Sequence, residues 1–244
     1  METKGKLALV TGSGVRVGKR IAVALAESGM HVAVHYHESA GPAEETVTEI
    51  RALGVEGESF QADLSQLLEV RGLFDAIEAR WGRLDVLVNS AAIFPRTPWD
   101  EIDEATWDYT LDVNLKAPFF TAWHAVPLMQ RNGGGKIVNI ADWAGLRPYK
   151  NYLPYVISKG GIITMTKALA LELAPSIAVN AIAPGPVMLP EDFSESTAER
   201  IRKATLLKRL GSPDDVAQSV VYLVAMTDFI TGHVLVVDGG RLIA

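Results

Sequence analysis

A tyrosine and a lysine four positions apart, in the run Tyr155-Val156-Ile157-Ser158-Lys159, are the residues best suited to chemistry in this chain. On a helix that spacing puts phenol and ammonium on one face. A phenol ordinarily ionises near a pH of roughly 10, and a neighbouring cation stabilises its anion, which would bring the pKa toward the working range. Such a group can donate a proton to an atom that receives a hydride, or remove one in reverse. Tyr–Lys pairs at this spacing are also common on solvated helices, so the pair gains meaning only from its position in the chain.

A second set of residues could hold a dinucleotide. Thr11-Gly12-Ser13-Gly14-Val15-Arg16-Val17-Gly18 follows a strand-like run and opens into a helical one. Glycines there let the backbone turn tightly and approach a pyrophosphate, and the free N–H groups of a helix N-terminus attract its charge. A carboxylate that would hold a free ribose diol is expected about 20 residues further on. That place holds His35-Tyr36-His37 instead. A guanidinium at Arg16 and imidazoles at His35 and His37 supply charge-assisted donors, which favours a 2′-phosphate and hence NADPH. Glu38 argues the other way, unless it points outward from the strand end. Asp63, in Gln61-Ala62-Asp63-Leu64, could accept from an adenine amino group or cap the helix beginning near Ser65.

The elements that would position these groups alternate along the chain. Lys6 to Thr11, His31 to Tyr36, Val55 to Ala62, Leu84 to Asn89, Lys136 to Ala141, Ile177 to Ala183 and His233 to Val237 read as strands. Between them, Val17 to Gly29, Ser65 to Gly82, Trp99 to Gln130 and Tyr155 to Ala174 read as helices, and Ser212-Pro213-Asp214-Asp215 caps another. Strand and helix in alternation build βαβ units and a parallel sheet. Pro184 to Ser196, rich in proline and acidic residues, reads as an irregular loop or a flap over a ligand. No repeat, low-complexity tract or interdomain linker interrupts the 244 residues, and residues 1–244 are expected to form one domain.

Composition narrows the function classes. Apolar residues make up 48% and charged ones 21%, enough for a sizeable core. A net charge of −6 provides no footprint for nucleic acid, and no basic run suits an anionic membrane. The absence of cysteine excludes disulfides, thiolate metal sites and cysteine nucleophiles. Neither a signal-type leader nor a spanning apolar run is present, so a cytoplasmic protein acting on a small molecule is expected.

Taken together, the Gly-rich turn, Asn89-Ser90-Ala91-Ala92, Asn114, Tyr155-x-x-x-Lys159, Pro184-Gly185 and the terminal Asp238-Gly239-Gly240 resemble the short-chain dehydrogenase/reductase family over essentially the whole chain. The resemblance implies an α/β, doubly wound Rossmann-type fold: a seven-stranded parallel sheet with helices on both faces, usually in a homotetramer. It further implies Tyr155 as acid/base, Lys159 on the nicotinamide ribose and Asn114 in a water-linked proton relay. The cofactor would be held by Gly12, Arg16, Val17, Gly18, His35, Tyr36, His37, Ser39, Asp63, Leu64, Asn89, Ala91, Lys159, Pro184 and Gly185.

Most members of that family place a serine thirteen residues before the tyrosine, and this chain has Asp142 there. An ionised carboxylate would oppose a developing oxyanion and raise the phenol pKa, whereas a protonated one could donate. Asp142 suits a substrate whose nitrogens take up protons, although it could instead cap a turn or pair with Arg147. Arg16, the run His35-Tyr36-His37-Glu38-Ser39 and Asp142 resemble the pteridine reductase branch of the family. There Arg16 would reach both cofactor phosphate and substrate, and Phe94 would stack on the pterin, unless Phe94 simply fills an apolar wall. Reduction of a pteridine ring by NADPH is the expectation, with Asp142 and Tyr155 delivering the proton. Alternatives are reduction of a carbonyl such as a ketoacyl thioester, sugar or quinone, with the other roles kept and Asp142 setting selectivity, or NADPH binding without turnover.

Overall fold

The computed structural model describes residues 1–189 and 194–244. Seven strands, β1 (Leu7–Val10), β2 (His31–Tyr36), β3 (Gly57–Gln61), β4 (Val86–Asn89), β5 (Gly135–Ile140), β6 (Ile177–Pro184) and β7 (Val234–Val237), form one parallel sheet in the order β3-β2-β1-β4-β5-β6-β7. The helices are α1 (Arg16–Glu27), α2 (Ala40–Ala52), α3 (Leu67–Trp81), α4 (Glu104–Leu111), α5 (Ala117–Arg131), α6 (Leu153–Leu173), α7 (Glu195–Ala204) and α8 (Pro213–Val221).

The central strands of the sheet are buried on both faces, since successive side chains point to opposite sides and helices cover each, while β3 and β7 at the edges are largely half-buried. In β1, Ala8 and Val10 pack with Ile21 and Leu25 of α1 and Val216 of α8, while Leu7 and Leu9 pack with Leu73 of α3 and Ala122 of α5. Each fully buried aliphatic side chain of this kind contributes about 1.5–3 kcal/mol. All 21 residues of α6 form one helix, apolar nearly all round, as suits an element wedged against β6 and α4. Its first turn carries Pro154, which needs no N–H partner there.

Several expectations are corrected in detail. The segment from Trp99 to Gln130 is mostly helical, as expected, but not uniform: after a 3₁₀ turn at Trp99–Glu101, α4 runs through a π-helical turn at Asp112–Lys116 directly into α5. Ser65 does not cap α3; Gln66 stands at that position. Helices α2 and α7 were not anticipated. Part of the loop expected at Pro184–Ser196 lies outside the described residues, and Glu195–Ser196 already belong to α7.

The chain winds from β1 outward through β2 to β3, then returns across β1 to β4. At such a reversal the connections leave in opposite directions and open a crevice beyond the carboxyl ends of the strands.

Candidate active site

That crevice holds a cavity of about 310 Å³, lined by Gly12, Arg16, Val17, Gly18, Tyr36, His37, Ser39, Asp63, Leu64 and Ala91. The loops after β1 and β4 meet there because the Thr11 hydroxyl accepts from the N–H groups of Ser90 (2.9 Å) and Ala91 (3.0 Å). Gly12 makes this approach possible. Its φ is +64°, and a Cβ there would lie 2.8 Å from the Ala91 Cα. The start of α1 has no side-chain cap and no acidic residue in its first turn, so its N–H groups are open to an anion. This arrangement fits the diphosphate of a dinucleotide.

Arg16 has a φ of +56°, uncommon for a residue with a Cβ and costing about 1–2 kcal/mol. Glu38 is exposed and does not line the cavity. Asp63 lines it while its Oδ1 accepts from the Ser65 N–H at 2.9 Å, so it shapes a turn rather than capping α3. Asn89 does not reach the cleft: its amide is spent on Pro118, Asn139 and Thr121 beneath the loop. Pro184 is buried at the end of β6, and neither it, Lys159 nor Gly185 lines this cavity.

His35 departs from the expected role of a cationic phosphate ligand. Its side chain is buried; Nδ1 accepts from the Gly12 N–H (3.0 Å), which leaves the proton on Nε2 to be donated to the Ala62 carbonyl (3.0 Å). Burial lowers its pKa from 6.5 to about 4, so the ring is neutral and staples the Gly-rich turn to the end of β3. Because the native state holds fewer protons than the unfolded chain between those values, His35 adds stability above pH 6.5 that is lost as pH falls through about 4. That loss amounts to about 3 kcal/mol. Urea unfolding from pH 7 to pH 4 should therefore show a flatter pH dependence in His35→Gln than in the wild type, and parallel curves would reject the assignment.

The chemical centre forms where β5 ends and α6 begins. Asp142 opens a 3₁₀ turn (Trp143–Gly145) and its Oδ1 accepts from the Ala144 N–H at 2.7 Å. Gly145 lets this turn lie against α6, where a Cβ would meet the Lys159 and Gly160 backbone at 2.9 Å. The close approach leaves Oδ2 of Asp142 free to accept the Tyr155 hydroxyl at 2.8 Å. Asp142 thus caps a turn and also holds the phenol. Arg147 donates instead to the carbonyls of Arg241 and Ala244.

Lys159 lies 5.7 Å from the centre of the Tyr155 ring, and its Nζ donates to the Ile140 carbonyl at 2.8 Å. The expected lowering of the phenol pKa does not occur in this arrangement. Burial and the Asp142 carboxylate push Tyr155 well above 10, burial pushes Asp142 up, and burial draws Lys159 down to about 8. A phenol so held keeps its proton near neutrality. Asn114, on the π-helical turn, spends its side chain on the Ile93 backbone, donating to its carbonyl (2.9 Å) and accepting from its N–H (2.8 Å). Its amide thereby fixes the loop after β4 with one of its two N–H donors and its oxygen.

Tyr155 and Asp142 open onto a second cavity of about 480 Å³ that also includes Arg16, Phe94 and Gly185. Phe94 stacks on Tyr152 (4.3 Å, 8°) and meets Tyr155 edge-on (4.6 Å, 78°). Trp143, Tyr149, Tyr152 and Arg241 complete walls that sequence reasoning missed. Three tyrosines within seven residues at the approach to α6, Tyr149, Tyr152 and Tyr155, were a usable signal of an aromatic-lined pocket, although only Tyr155 lies on the helix itself.

Residues 14–241 match the family model described as Enoyl-(Acyl carrier protein) reductase. The chain is 38% identical over 242 residues to a protein assigned as ketoacyl reductase 2 of the granaticin polyketide synthase of Streptomyces violaceoruber, covering 96% of this chain and 95% of that one. It is 36% identical over 241 residues to 3-oxoacyl-(acyl-carrier-protein) reductase FabG of Staphylococcus aureus, covering 96% and 97%. Acetoin dehydrogenase of Enterobacter cloacae has a similar crystal structure, with a TM-score of 0.90 and 33% identity over 98% of this chain and 96% of the other. No helix among the described residues is long and apolar enough to cross a membrane. Sheet order, nucleotide crevice, Tyr155–Lys159 pair and full-length similarity agree: the chain belongs to the short-chain dehydrogenase/reductase family of nicotinamide-dependent oxidoreductases.

Proposed function

We propose that the protein is an NADP(H)-dependent reductase of a carbonyl compound, with Tyr155 protonating the oxygen. The observation that carries this reading is the buried Tyr155 hydroxyl, kept protonated and facing a ring-lined chamber beside the nucleotide crevice. An alkoxide is a far stronger base than a phenolate, so a phenol of raised pKa still protonates it readily. The bound dinucleotide would supply the hydride. Lys159, pinned to Ile140, would reach its nicotinamide ribose, and Phe94 with Tyr152 would hold a flat substrate by stacking. The names of the three relatives, which refer to ketoacyl compounds or acetoin, support a carbonyl substrate. Arg16, His37, Tyr36 and Ser39 line the nucleotide crevice while Glu38 does not, which supports NADPH over NADH. The homotetramer implied by the family resemblance is part of this proposal, supported by the exposed Phe119 and Trp123 on α5.

One observation favours a second reading. Asp142 replaces a neutral hydroxyl and bonds directly to Tyr155, with Arg16 and Phe94 on the same chamber, as reduction of a protonatable pteridine ring would require. NADPH and NADH oxidation by the wild type and Asp142→Ser, with ketones, 3-oxoacyl thioesters, dihydrobiopterin and dihydrofolate, separates the two. The carbonyl reading expects ketone or thioester turnover that survives in Asp142→Ser within about tenfold, because a serine hydroxyl can hold the same oxygen. Turnover confined to pterins and falling by about 10²-fold or more in the variant would establish the second reading instead.

A further inference from the structure

The chamber beside Tyr155 has an unusual charge. Its described walls carry three guanidinium groups, Arg16, Arg200 and Arg241, against the single buried carboxyl of Asp142. Most other arginines of the chain are engaged: Arg83 pairs with Asp85 and Arg209 with Asp215, while Arg51 and Arg147 donate to backbone carbonyls. Among the described residues, none of the three chamber arginines has a carboxylate partner, so three unpaired guanidinium groups share one cavity.

Local structure explains why two of them stay available. On α7, Glu195 and Glu199 are taken by Arg202, and Glu199 also by Lys203, which leaves Arg200 facing the chamber without a carboxylate of its own helix. Arg241 follows the Asp238-Gly239-Gly240 turn, in which the Asp238 side chain accepts from the Gly240 N–H at 2.8 Å. Its guanidinium lies over the Trp143 ring, 5.2 Å from the centroid, next to Asp142 in the chain. A guanidinium stacked on an aromatic face keeps its N–H donors in its own plane, free for two parallel bonds to an oxyanion.

We propose that Arg200 and Arg241 form an oxyanion-recognising subsite, so that the substrate of this chamber carries a carboxylate or phosphate away from its reacting carbon. Arg16 belongs to both cavities and would be drawn toward the cofactor phosphates, leaving Arg200 and Arg241 to read the substrate. The proposal deepens the functional reading above, since it takes this cavity as the substrate chamber, but it does not depend on whether a carbonyl or a pteridine ring is reduced.

Calorimetric titration of the full chain, saturated with NADP⁺, with benzoate, phenyl phosphate and benzamide tests it without any turnover. The expected result is that at least one anion binds about tenfold or more tightly than benzamide, as a charge-assisted pair should. Arg200→Gln and Arg241→Gln should each weaken that anion about tenfold and leave benzamide within about twofold. Benzoate against phenyl phosphate then identifies the oxyanion. Equal binding of all three probes, no binding of any, or anion affinity unchanged in both variants would overturn the proposal. Failure of the carbonyl reading shows separately, in NADPH oxidation with ketones.

Discussion

Tyr155→Phe protein should bind NADPH as the wild type does and lose about 10²- to 10⁴-fold in kcat, the range expected when a positioned proton donor is removed. The ring keeps its packing against Phe94 and only the hydroxyl disappears, so the fold and the nucleotide crevice stay intact. The loss is felt at Asp142 as well. Among the described residues its Oδ2 accepts only from the phenol, and without that donor a buried acceptor is left unpaired at a cost of about 1–3 kcal/mol. The variant should therefore also melt at a lower temperature, an effect that scanning calorimetry would read alongside cofactor titration and steady-state rates. Unaltered turnover in a folded, cofactor-binding variant would remove the proposed role of the phenol.

Gly18→Ala is expected to damage the other end of the site. A Cβ at position 18 would stand 2.2 Å from the Gly12 carbonyl oxygen and 2.9 Å from its carbon. Both are backbone atoms and neither can rotate aside, so α1 must retreat from the turn that carries Gly12. Overpacking of this kind costs about 1–3 kcal/mol. Retreat also scatters the N–H groups offered to the diphosphate, and NADPH affinity should fall by about tenfold or more. Gly72→Ala is the matched control: it lies inside α3 with nothing within 4 Å of the new methyl, and should stabilise the protein by about 0.5–1 kcal/mol. Fluorescence titration of NADPH and thermal melts of the two variants should move in opposite directions, and equal behaviour would show that the close contact at Gly18 is not what shapes the turn.

The sheet was legible because buried parallel strands announce themselves as short, unbroken apolar runs, as in Leu7–Val10 and in Val86, Leu87 and Val88. Helix α2 escaped because the face it buries, Ala43, Thr46, Val47 and Ile50, has helical spacing but small or polar members. Helix α7 buries nothing, and a polar helix held by ion pairs has no apolar stripe to detect. The π-helical turn that seats Asn114 joins α4 to α5 without a break, so the helical run could be read from the sequence but the local widening that places Asn114 could not. Contiguous residues build most of the nucleotide end, so its outline could be read, though not that His35 would turn inward and stay neutral. The reacting end draws Phe94, Asp142, Tyr155, Arg200 and Arg241 from five separate stretches, and only folding brings them together.

Arg16 has a left-handed backbone and stands in the party wall between the crevice and the chamber. One side chain shared by two rooms makes their tenants interdependent. Whatever holds that guanidinium on the nucleotide side withdraws a positive charge from its neighbour, and a ligand that captures it from the other side weakens the first grip by the same factor, because such coupling is necessarily reciprocal.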